Sequence, residues 1–556
     1  MSGKIFRHIS RRDFIKIAAA TTAALATDWK KIDALAAKIE SKSEFPVVVI
    51  GGGLGGLSAA AHLARNGFPV TLVEQHDIPG GYATSFDREG GKYTFDVSLH
   101  ATMSAKGGLR ESLEGAGVLD KVETVELPEL CRIITPDHDL IWPQQNPAAI
   151  TEQLSKLFPD QAQGIQGFFD EIMGILDEAI KPFDSDSWWD KLTFPLTRRK
   201  MWGIRKKTLA DVLEEHVTDP KLRSILSIYW PYYGLPPSKL SGFYYAIATS
   251  AYIRFGGHYI KQRSQDLSYA LTDAIEAEAG QVMLETEAEK IVMKNGAVNG
   301  VILADGKHLK ARAVISNASV PATMKMLSQN TGSAKFSSKA RDYLEKLDTY
   351  RPSLSTFIVW LGLSQEVHRK VKGYEIWIDR DYDPEKAYQG CLACDPHKAG
   401  LLVTLYDNAY KGYSSAGTST VVVMMLSGYE PWKRFEADYF ANRKDAYYKK
   451  KERIAKALIE EAEKWVIPGL SSMIEVMEAA TPLTNISYTG NPEGAIYGYE
   501  QSLGNAYMTR LDQRTPFKGL YLASAWTKPG GGYQPCLQSG ADAFKALIKD
   551  LADNEP

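Results

Sequence analysis

The chain has 556 residues, a formal net charge of −2 and 44 % hydrophobic residues. A single hydrophobic core rarely grows beyond about 250–300 residues, so this length predicts more than one domain. The near-neutral charge argues against nucleic acid as a partner, and the apolar fraction argues against a disordered chain.

The N-terminus predicts an export signal. Residues 10–16, SRRDFIK, fit the twin-arginine pattern, and the small-residue run 17–26 follows them. That run is too short to span a bilayer, which needs about 20 apolar residues. Cleavage after Ala26 or after Ala36 would each follow an Ala-x-Ala triplet. From this pattern we expect residues 1–40 to be signal and linker, and the protein to work in the periplasm or another extracytoplasmic space. The twin-arginine route exports proteins that have already folded.

Residues 46–81 predict a dinucleotide-binding unit. An apolar strand over 47–50 runs into a glycine turn and a helix, and a second strand over 69–73 ends at Glu74. Gly51 permits the tight turn, Gly53 lets the backbone approach a pyrophosphate, and Gly56 lets the helix pack closely on the sheet. The positive helix end favours the phosphates. We expect Glu74 to accept hydrogen bonds from ribose hydroxyls.

The middle of the chain carries no nucleotide motif. Two interpretations remain open for the aromatic stretch 229–245, YWPYYGLPPSKLSGFYY: lining of a tunnel for an elongated apolar substrate, or ordinary core packing. Residues 188–207 interleave basic side chains with Trp202 and Ile204, which suits either an anionic membrane surface or a solvated loop.

Cys391 and Cys394 form a CxxC pair, which in an exported protein is compatible with a disulfide. Asp395 stands where a haem-attachment motif has His, and there is no second CxxC pair. We therefore expect no metal or haem site, and structural roles for the cysteines.

Two later segments complete the pattern. Residues 281–284, 288–293, 298–303 and 313–316 predict short strands with Asn-Gly and Asp-Gly turns between them. Residues 519–532, GLYLASAWTKPGGG, form a glycine-rich segment near the C-terminus.

These motifs resemble those of FAD-dependent phytoene desaturases, carotenoid isomerases and retinol saturases, a branch of the amine-oxidase-like flavoproteins. EQHDIPGGYATSF and YTFDVSLH are similar to the isomerases and saturases, and AWTKPGGGYQP to the desaturases. Ser524 replaces a usual glycine, Lys528 a frequent His, and KQRS at 261–264 a usual glycine pair. The resemblance covers nearly the whole chain after the signal.

The resemblance implies an α/β fold with FAD as cofactor. A Rossmann-like, three-layer FAD-binding domain of the glutathione-reductase type is expected over 44–115, 255–345 and 480–556. An interleaved α+β substrate domain is expected over 116–254 and 346–479.

The motifs and the resemblance together imply a set of site residues. The expected FAD-binding residues are Gly51, Gly52, Gly53, Leu54, Gly55, Gly56, Glu74, Gln75, Gly80, Gly81, Tyr82, Ala83, Thr84, Ala288, Ser524, Ala525, Gly531 and Gly532. Candidate proton donors or polar anchors are His100, Lys528 and Tyr533, which flank segments expected near the flavin ring.

The function implied is an FAD-dependent oxidoreductase that desaturates or saturates carbon–carbon bonds of an isoprenoid, carotenoid-like or other lipid. Its electrons are expected to exchange with a quinone or cytochrome, because no second GxGxxG in a strand–helix context offers a nicotinamide site. The alternatives are a redox-neutral cis/trans isomerase of polyenes, an amine oxidase, and a non-catalytic lipid-binding escort.

Overall fold

The computed structural model describes residues 29–103, 108–181, 188–328 and 336–553. The twin-arginine motif and Ala26 lie outside them. The strands are β1 Val47–Ile50, β2 Val70–Val73, β3 Ser85–Arg88, β4 Tyr93–Asp96, β5 Thr102–Met103, β6 Thr124–Glu126, β7 Cys131–Ile134, β8 Asp139–Trp142, β9 Gly257–Ile260, β10 Gln281–Met283, β11 Ala288–Lys294, β12 Ala297–Leu303, β13 His308–Lys310, β14 Ala313–Ser316, β15 Ser355–Leu363, β16 Glu375–Ile378, β17 Leu401–Leu405, β18 Ser419–Ser427, β19 Ile474–Ala480 and β20 Leu520–Leu522.

Helices make up most of the remaining regular structure. They are α1 Trp29–Ala37, α2 Leu54–Arg65, α3 Gly108–Gly115, α4 Pro147–Leu157, α5 Ala162–Ile180, α6 Trp188–Thr197, α7 Arg199–Ile204, α8 Leu209–His216, α9 Pro220–Leu226, α10 Trp230–Tyr233, α11 Gly242–Phe255, α12 Ser264–Ala277, α13 Val320–Ser328, α14 Ser338–Leu347, α15 Pro384–Ala393, α16 Glu430–Lys433, α17 Glu436–Phe440, α18 Asp445–Trp465, α19 Pro482–Thr489 and α20 Tyr533–Ala552.

A five-stranded parallel sheet carries the glycine turn. Its strand order is β10-β2-β1-β14-β20, with β1 between β2 and β14. The chain builds the sheet outward from β1 in one direction, through β2 and β10, and then in the other, through β14 and β20. In open parallel sheets, ligands bind where the strand order reverses, at the carboxyl ends of the strands. That point lies just after Ile50 and Ser316, which are paired neighbours.

This sheet is the middle of three layers. Val47 and Val49 belong to the core that includes α2 and α20, whereas Val48 and Ile50 belong to a second core that includes Ile291 of the antiparallel sheet β11-β12-β13. Successive side chains of a strand point to opposite faces, so β1 serves both cores at once. The expected α/β class is confirmed by this arrangement.

A seven-stranded mixed sheet forms the second body of the fold, in the order β19-β15-β18-β17-β16-β7-β8. Every residue of β15 is buried. Thr356, Ile358 and Trp360 face a large cavity, while Phe357, on the opposite face, stacks with Trp432 at 5.8 Å between ring centroids. The sheet therefore forms one wall of the cavity and carries helices on its other face.

The strands of each sheet come from separate stretches of sequence. The parallel sheet takes β1 and β2, β10 and β14, and β20 from three stretches, and the mixed sheet unites β7 and β8 with β15–β19. A separate three-stranded sheet has the order β5-β9-β6. The domain boundaries stay predictions.

Helix α1 packs against α20, and Ala36 is fully buried there. Cleavage after Ala36 would remove a packed helix, whereas Ala26 precedes it. Among the residues described, no helix has the length and apolar character needed to cross a membrane.

Candidate active site

One cavity of about 1150 Å³ lies between the carboxyl ends of the parallel sheet and the mixed sheet. Its lining divides into two parts. The first, called here the glycine half, consists of loops that follow β1, β2 and β14 together with the segment after β20. The second, called the aromatic half, is formed by α5, α10, α11 and the cavity face of the mixed sheet.

The glycine turn begins at Gly51, whose φ of +93° lies in the region that favours glycine. Asn317, directly after β14, stands beside it. With its amide oriented to satisfy both bonds, Asn317 accepts from the Gly53 N–H at 3.2 Å and donates to the Ala523 carbonyl at 2.7 Å. Asn317 therefore links three loops of the glycine half.

At Gly55 and Gly56, helix α2 lies so close to the neighbouring backbone that a side chain would not fit. A Cβ on Gly56 would lie 2.0 Å from the Gly51 carbonyl oxygen, and one on Gly55 would lie 2.1 Å from that of Ala523. Gly53, Leu54 and Gly55 line the cavity, so the helix presents its free N–H groups there. Such a helix end binds anions such as a pyrophosphate.

Glu74 is fixed in direction by the backbone. Its two carboxylate oxygens accept from the N–H groups of Gly52 at 2.6 Å and His76 at 3.0 Å. The side chain is buried yet lines the cavity. Because each carboxylate oxygen has more than one lone pair, Glu74 retains acceptor capacity for hydroxyl donors.

The two remaining loops of the glycine half come from distant parts of the chain. The N–H of Gly80 donates to the Gly52 carbonyl at 2.8 Å, which joins the loop after β2 to the turn. In the C-terminal segment, the Ala525 carbonyl accepts from the buried Arg510 guanidinium at 2.6 Å. Burial lowers the pKa of Arg510 to about 10, but at neutral pH it is still a cation behind the cavity wall.

The structure brings most of the expected FAD-binding residues to one surface. Gly52 and Gly56 lie behind the lining. Those that line the cavity are Gly51, Gly53, Leu54, Gly55, Glu74, Gln75, Gly80, Gly81, Tyr82, Ala83, Thr84, Ala288, Ser524, Ala525, Gly531 and Gly532. The close glycine contacts, the helix end and the carboxylate fit an adenine dinucleotide, although the individual contacts to FAD stay predictions.

His100 lines the cavity from the loop after β4. Its Nδ1 shares a hydrogen bond of 2.8 Å with the Thr404 hydroxyl of β17. Burial lowers the pKa of the imidazole to about 4, so the ring is neutral at physiological pH. It therefore offers the cavity a polar atom and no charge.

Tyr533 also lines the cavity, at the start of α20. Its single O–H proton is shared between the Ser264 hydroxyl at 2.9 Å and the Tyr82 carbonyl at 3.1 Å. Burial raises the pKa of the phenol, so it stays protonated. These bonds tie α20 to the loop after β2.

Lys528 is not brought to the cavity. Its ammonium pairs with the Asp512 carboxylate at 3.1 Å, and only its neighbour Pro529 contributes to the lining. The structure therefore places Lys528 at the outer side of the C-terminal segment.

The aromatic stretch contributes residues both to the cavity wall and to the core, and its role as a substrate tunnel stays a prediction. Tyr232, Tyr233 and Tyr244 line the cavity. Tyr229 and Tyr245 are buried behind them and donate to the carbonyls of Leu130 and Leu226. The stretch forms both cavity wall and core.

Glu375, at the start of β16, was not found from the sequence. It is 2 % exposed and accepts a hydrogen bond from the Tyr232 hydroxyl. Burial raises the pKa of this carboxyl to about 8. In the sequence, a single acidic residue at the start of an apolar strand does not indicate that its carboxyl group will be buried.

The cysteines stand apart from this site, except for Cys536 in the lining. Cys391 and Cys394 are buried free thiols, and burial raises the pKa of both. Both therefore remain unreactive thiols in the core.

The chain is similar to known proteins over most of its length. A family model described as flavin containing amine oxidoreductase matches residues 54–548, and a model of the twin-arginine translocation signal matches residues 8–27. A solved oxidoreductase from Methanosarcina mazei shares the fold, with a TM-score of 0.59 and 17 % identity over 91 % of this chain and 100 % of that one. These matches confirm the expected fold, the FAD cofactor and the export signal.

Three relatives differ in their chemistry. Human all-trans-retinol 13,14-reductase is 25 % identical over 86 % of this chain and 81 % of its own length. The neurosporene-forming phytoene desaturase of Rhodobacter capsulatus is 26 % identical over 91 % and 94 %. The prolycopene isomerase of Daucus carota is 24 % identical over 91 % and 80 %. The three names cover a reductase, a desaturase and an isomerase.

Proposed function

Because the chain belongs to the flavin containing amine oxidoreductase family and is an FAD-dependent oxidoreductase, we propose that it adds or removes two hydrogens at a carbon–carbon double bond of an isoprenoid or similar lipid. The observation that carries the proposal is the aromatic half of the cavity, which is continuous with the glycine half. Leu176, Ile247 and Phe255 line it together with the tyrosines. Such a lining suits an elongated apolar molecule.

The same lining disfavours an amine substrate. The carboxylate of the mixed sheet that lines the cavity, Glu478 of β19, already pairs with Arg88 at 2.6 Å. The other lining Asp and Glu side chains follow β2 or lie near the start of β11. The intact glycine contacts disfavour a lipid escort without cofactor. Release of hydrogen peroxide with simple amines, or a colourless purified protein, would favour these alternatives.

An anaerobic experiment tests the main proposal. The flavin of the holoprotein is reduced with dithionite and mixed with vesicles containing all-trans-retinol or phytoene, and the oxidised holoprotein is mixed with the same lipids. Flavin reoxidation or reduction together with a mass change of two hydrogens supports the proposal. An unchanged mass with altered chromatographic retention supports the isomerase. No change in the flavin or in either lipid contradicts both the redox proposal and the isomerase.

We further propose that the protein works outside the cytoplasm and takes its lipid from a membrane surface, exchanging electrons with a quinone or a cytochrome. Trp189, Leu192 and Leu196 of α6 are 57 %, 51 % and 67 % exposed, and their spacing puts them on one face of the helix. Leu176 of the preceding helix lines the cavity, and Ile180, one turn later, is exposed. An apolar patch thus adjoins the aromatic half.

Charge supports an anionic surface as the partner of this patch. The basic side chains that follow on α7 and the next loop are Arg199, Lys200, Arg205, Lys206 and Lys207. Each basic side chain near an anionic leaflet contributes about 1 kcal/mol. Cosedimentation with anionic vesicles is expected to fall about tenfold in the Leu192→Ser, Leu196→Ser double variant, and to persist in Phe440→Ser, an exposed aromatic residue on α17. Equal binding of all three proteins would contradict membrane docking.

A further inference from the structure

A buried tyrosine–carboxyl pair connects the aromatic half of the cavity to the mixed sheet. Tyr232 lines the cavity from α10, and its hydroxyl donates to Glu375 of β16. The ring is held in place by Trp377, edge-on at 4.8 Å between centroids, and by Tyr229 at 5.7 Å. The ring contacts and the hydrogen bond to Glu375 therefore fix the position of this tyrosine in the cavity wall.

Glu375 has no ion-pair partner among the described residues. It pairs across the sheet with Thr404, the residue that holds His100. Burial, with a contribution from the half-buried Glu129, raises the pKa of Glu375 to about 8. The other ionisable groups that act on it or feel its charge are Cys131 and the phenols of Tyr229, Tyr252, Tyr374, Tyr406 and Tyr497. Burial thus favours the protonated form of this carboxyl group.

Protonation of Glu375 determines what Tyr232 can do. When the carboxyl is ionised, the phenol donates its proton to it. When the carboxyl is protonated, it donates to the phenol oxygen, and the phenol O–H is free to point into the cavity. The pKa of the neighbouring His100 is about 4, so its imidazole is neutral at pH 7. It therefore offers no imidazolium as a proton donor.

We propose that Tyr232 is the catalytic residue that exchanges a proton with a substrate carbon, and that Glu375 is the positioning residue that returns this proton to the phenol. The inference rests on the proposed redox function. FAD held by the glycine half would supply the electron pair as hydride to one carbon of the double bond in the reductive direction and would accept it in the other. On reduction, the phenol O–H breaks as its proton joins the second carbon, and the Glu375 carboxyl reprotonates the phenolate. The carboxylate then takes a proton from solvent, and desaturation reverses these steps.

A substrate-independent measurement tests the proton store. Infrared difference spectra of the holoprotein are recorded across pH 6 to 10 for wild type, Glu375→Gln, Tyr232→Phe and the control Tyr245→Phe, whose hydroxyl bonds to a carbonyl behind the lining. We expect a carboxylic C=O band that titrates near pH 8, vanishes in Glu375→Gln, shifts in Tyr232→Phe and is unchanged in the control. Absence of such a band in the wild type overturns the proposal.

Single-turnover kinetics test the transfer itself. The reduced holoproteins are mixed with all-trans-retinol or phytoene vesicles in H₂O and in D₂O, with flavin content and melting curves compared first. We expect Tyr232→Phe to lower the rate at least tenfold and Glu375→Gln to remove the dependence of the rate on a group titrating near pH 8. An unchanged rate and pH profile in both variants overturns the proposal. If the wild type converts no lipid, the proposed function fails, and the infrared band alone decides whether the pair stores a proton.

Discussion

The two halves of the cavity are built in different ways. In the glycine half the backbone forms the surface, and a Cβ at Gly55 or Gly56 would come within 2.1 Å or 2.0 Å of a carbonyl oxygen. In the aromatic half side chains from several elements form the surface, held by ring contacts such as that of Tyr233 with Tyr244 at 5.2 Å. An added side chain at Gly55 or Gly56 would collide with the backbone, whereas the surface of the second half can change through its side chains alone. One fold can therefore keep its cofactor while its relatives use different substrates and reactions.

The largest effect is expected from adding one methyl group to the glycine half. Gly56→Ala would push α2 from the turn, and overpacking typically costs about 1–3 kcal/mol. We expect loss of bound flavin and a markedly lower melting temperature, measured by flavin-to-protein ratio and thermal unfolding. Gly203→Ala is the matched control, because it is also helical and a Cβ there meets nothing within 4 Å. Equal flavin content in the two variants would contradict the steric account.

A large substitution in the aromatic half should lower substrate conversion and leave flavin binding unchanged, which is the reverse of the effect expected for Gly56→Ala. Ala251 lies in α11 and lines the cavity. Ala251→Trp is expected to lower conversion of phytoene by about tenfold or more, equivalent to about 1.4 kcal/mol, and to leave flavin content unchanged. Ala277→Trp, at an exposed position of α12, controls for the added indole. Loss of flavin from Ala251→Trp alone would show that the halves are not independent.

A polar change in the glycine half should have a smaller effect. In Glu74→Gln one of the two backbone N–H donors loses its acceptor, because an amide offers one oxygen where the carboxylate offers two. An unsatisfied buried donor costs about 1–3 kcal/mol, so the Kd for FAD should rise about tenfold by fluorescence titration. Glu152→Gln, exposed on α4, serves as control. Unchanged affinity would exclude Glu74 from the cofactor site.

The sequence predicted the glycine half far better than the aromatic half. Its surface depends on glycines at fixed spacing after a strand, and spacing is visible in one chain. Asn317 and Arg510 were missed, although both support this half, because a polar residue after a strand has no distinctive pattern. The pair Tyr232 and Glu375 was missed because its partners are far apart in sequence, and only the packing of α10 on β16 brings them together.

Lys528 is a residue that sequence position alone placed near the flavin, although the structure does not bring it to the cavity. Its position within AWTKPGGG places it beside lining residues in sequence, but the segment turns so that its ammonium meets Asp512. Proximity along the chain identified the correct segment without fixing which side chains point inward.

The pairing of β20 with β14, and of α20 with α2 at Gly540, has a consequence for biosynthesis. The wall that carries Ser524, Ala525, Gly531 and Gly532 is synthesised after β1, β2 and β14. A nascent chain can form the first βαβ unit early, but it cannot enclose the flavin until the segment after β20 has been synthesised. Enclosure of the cofactor therefore depends on elements that are far apart in the order of synthesis.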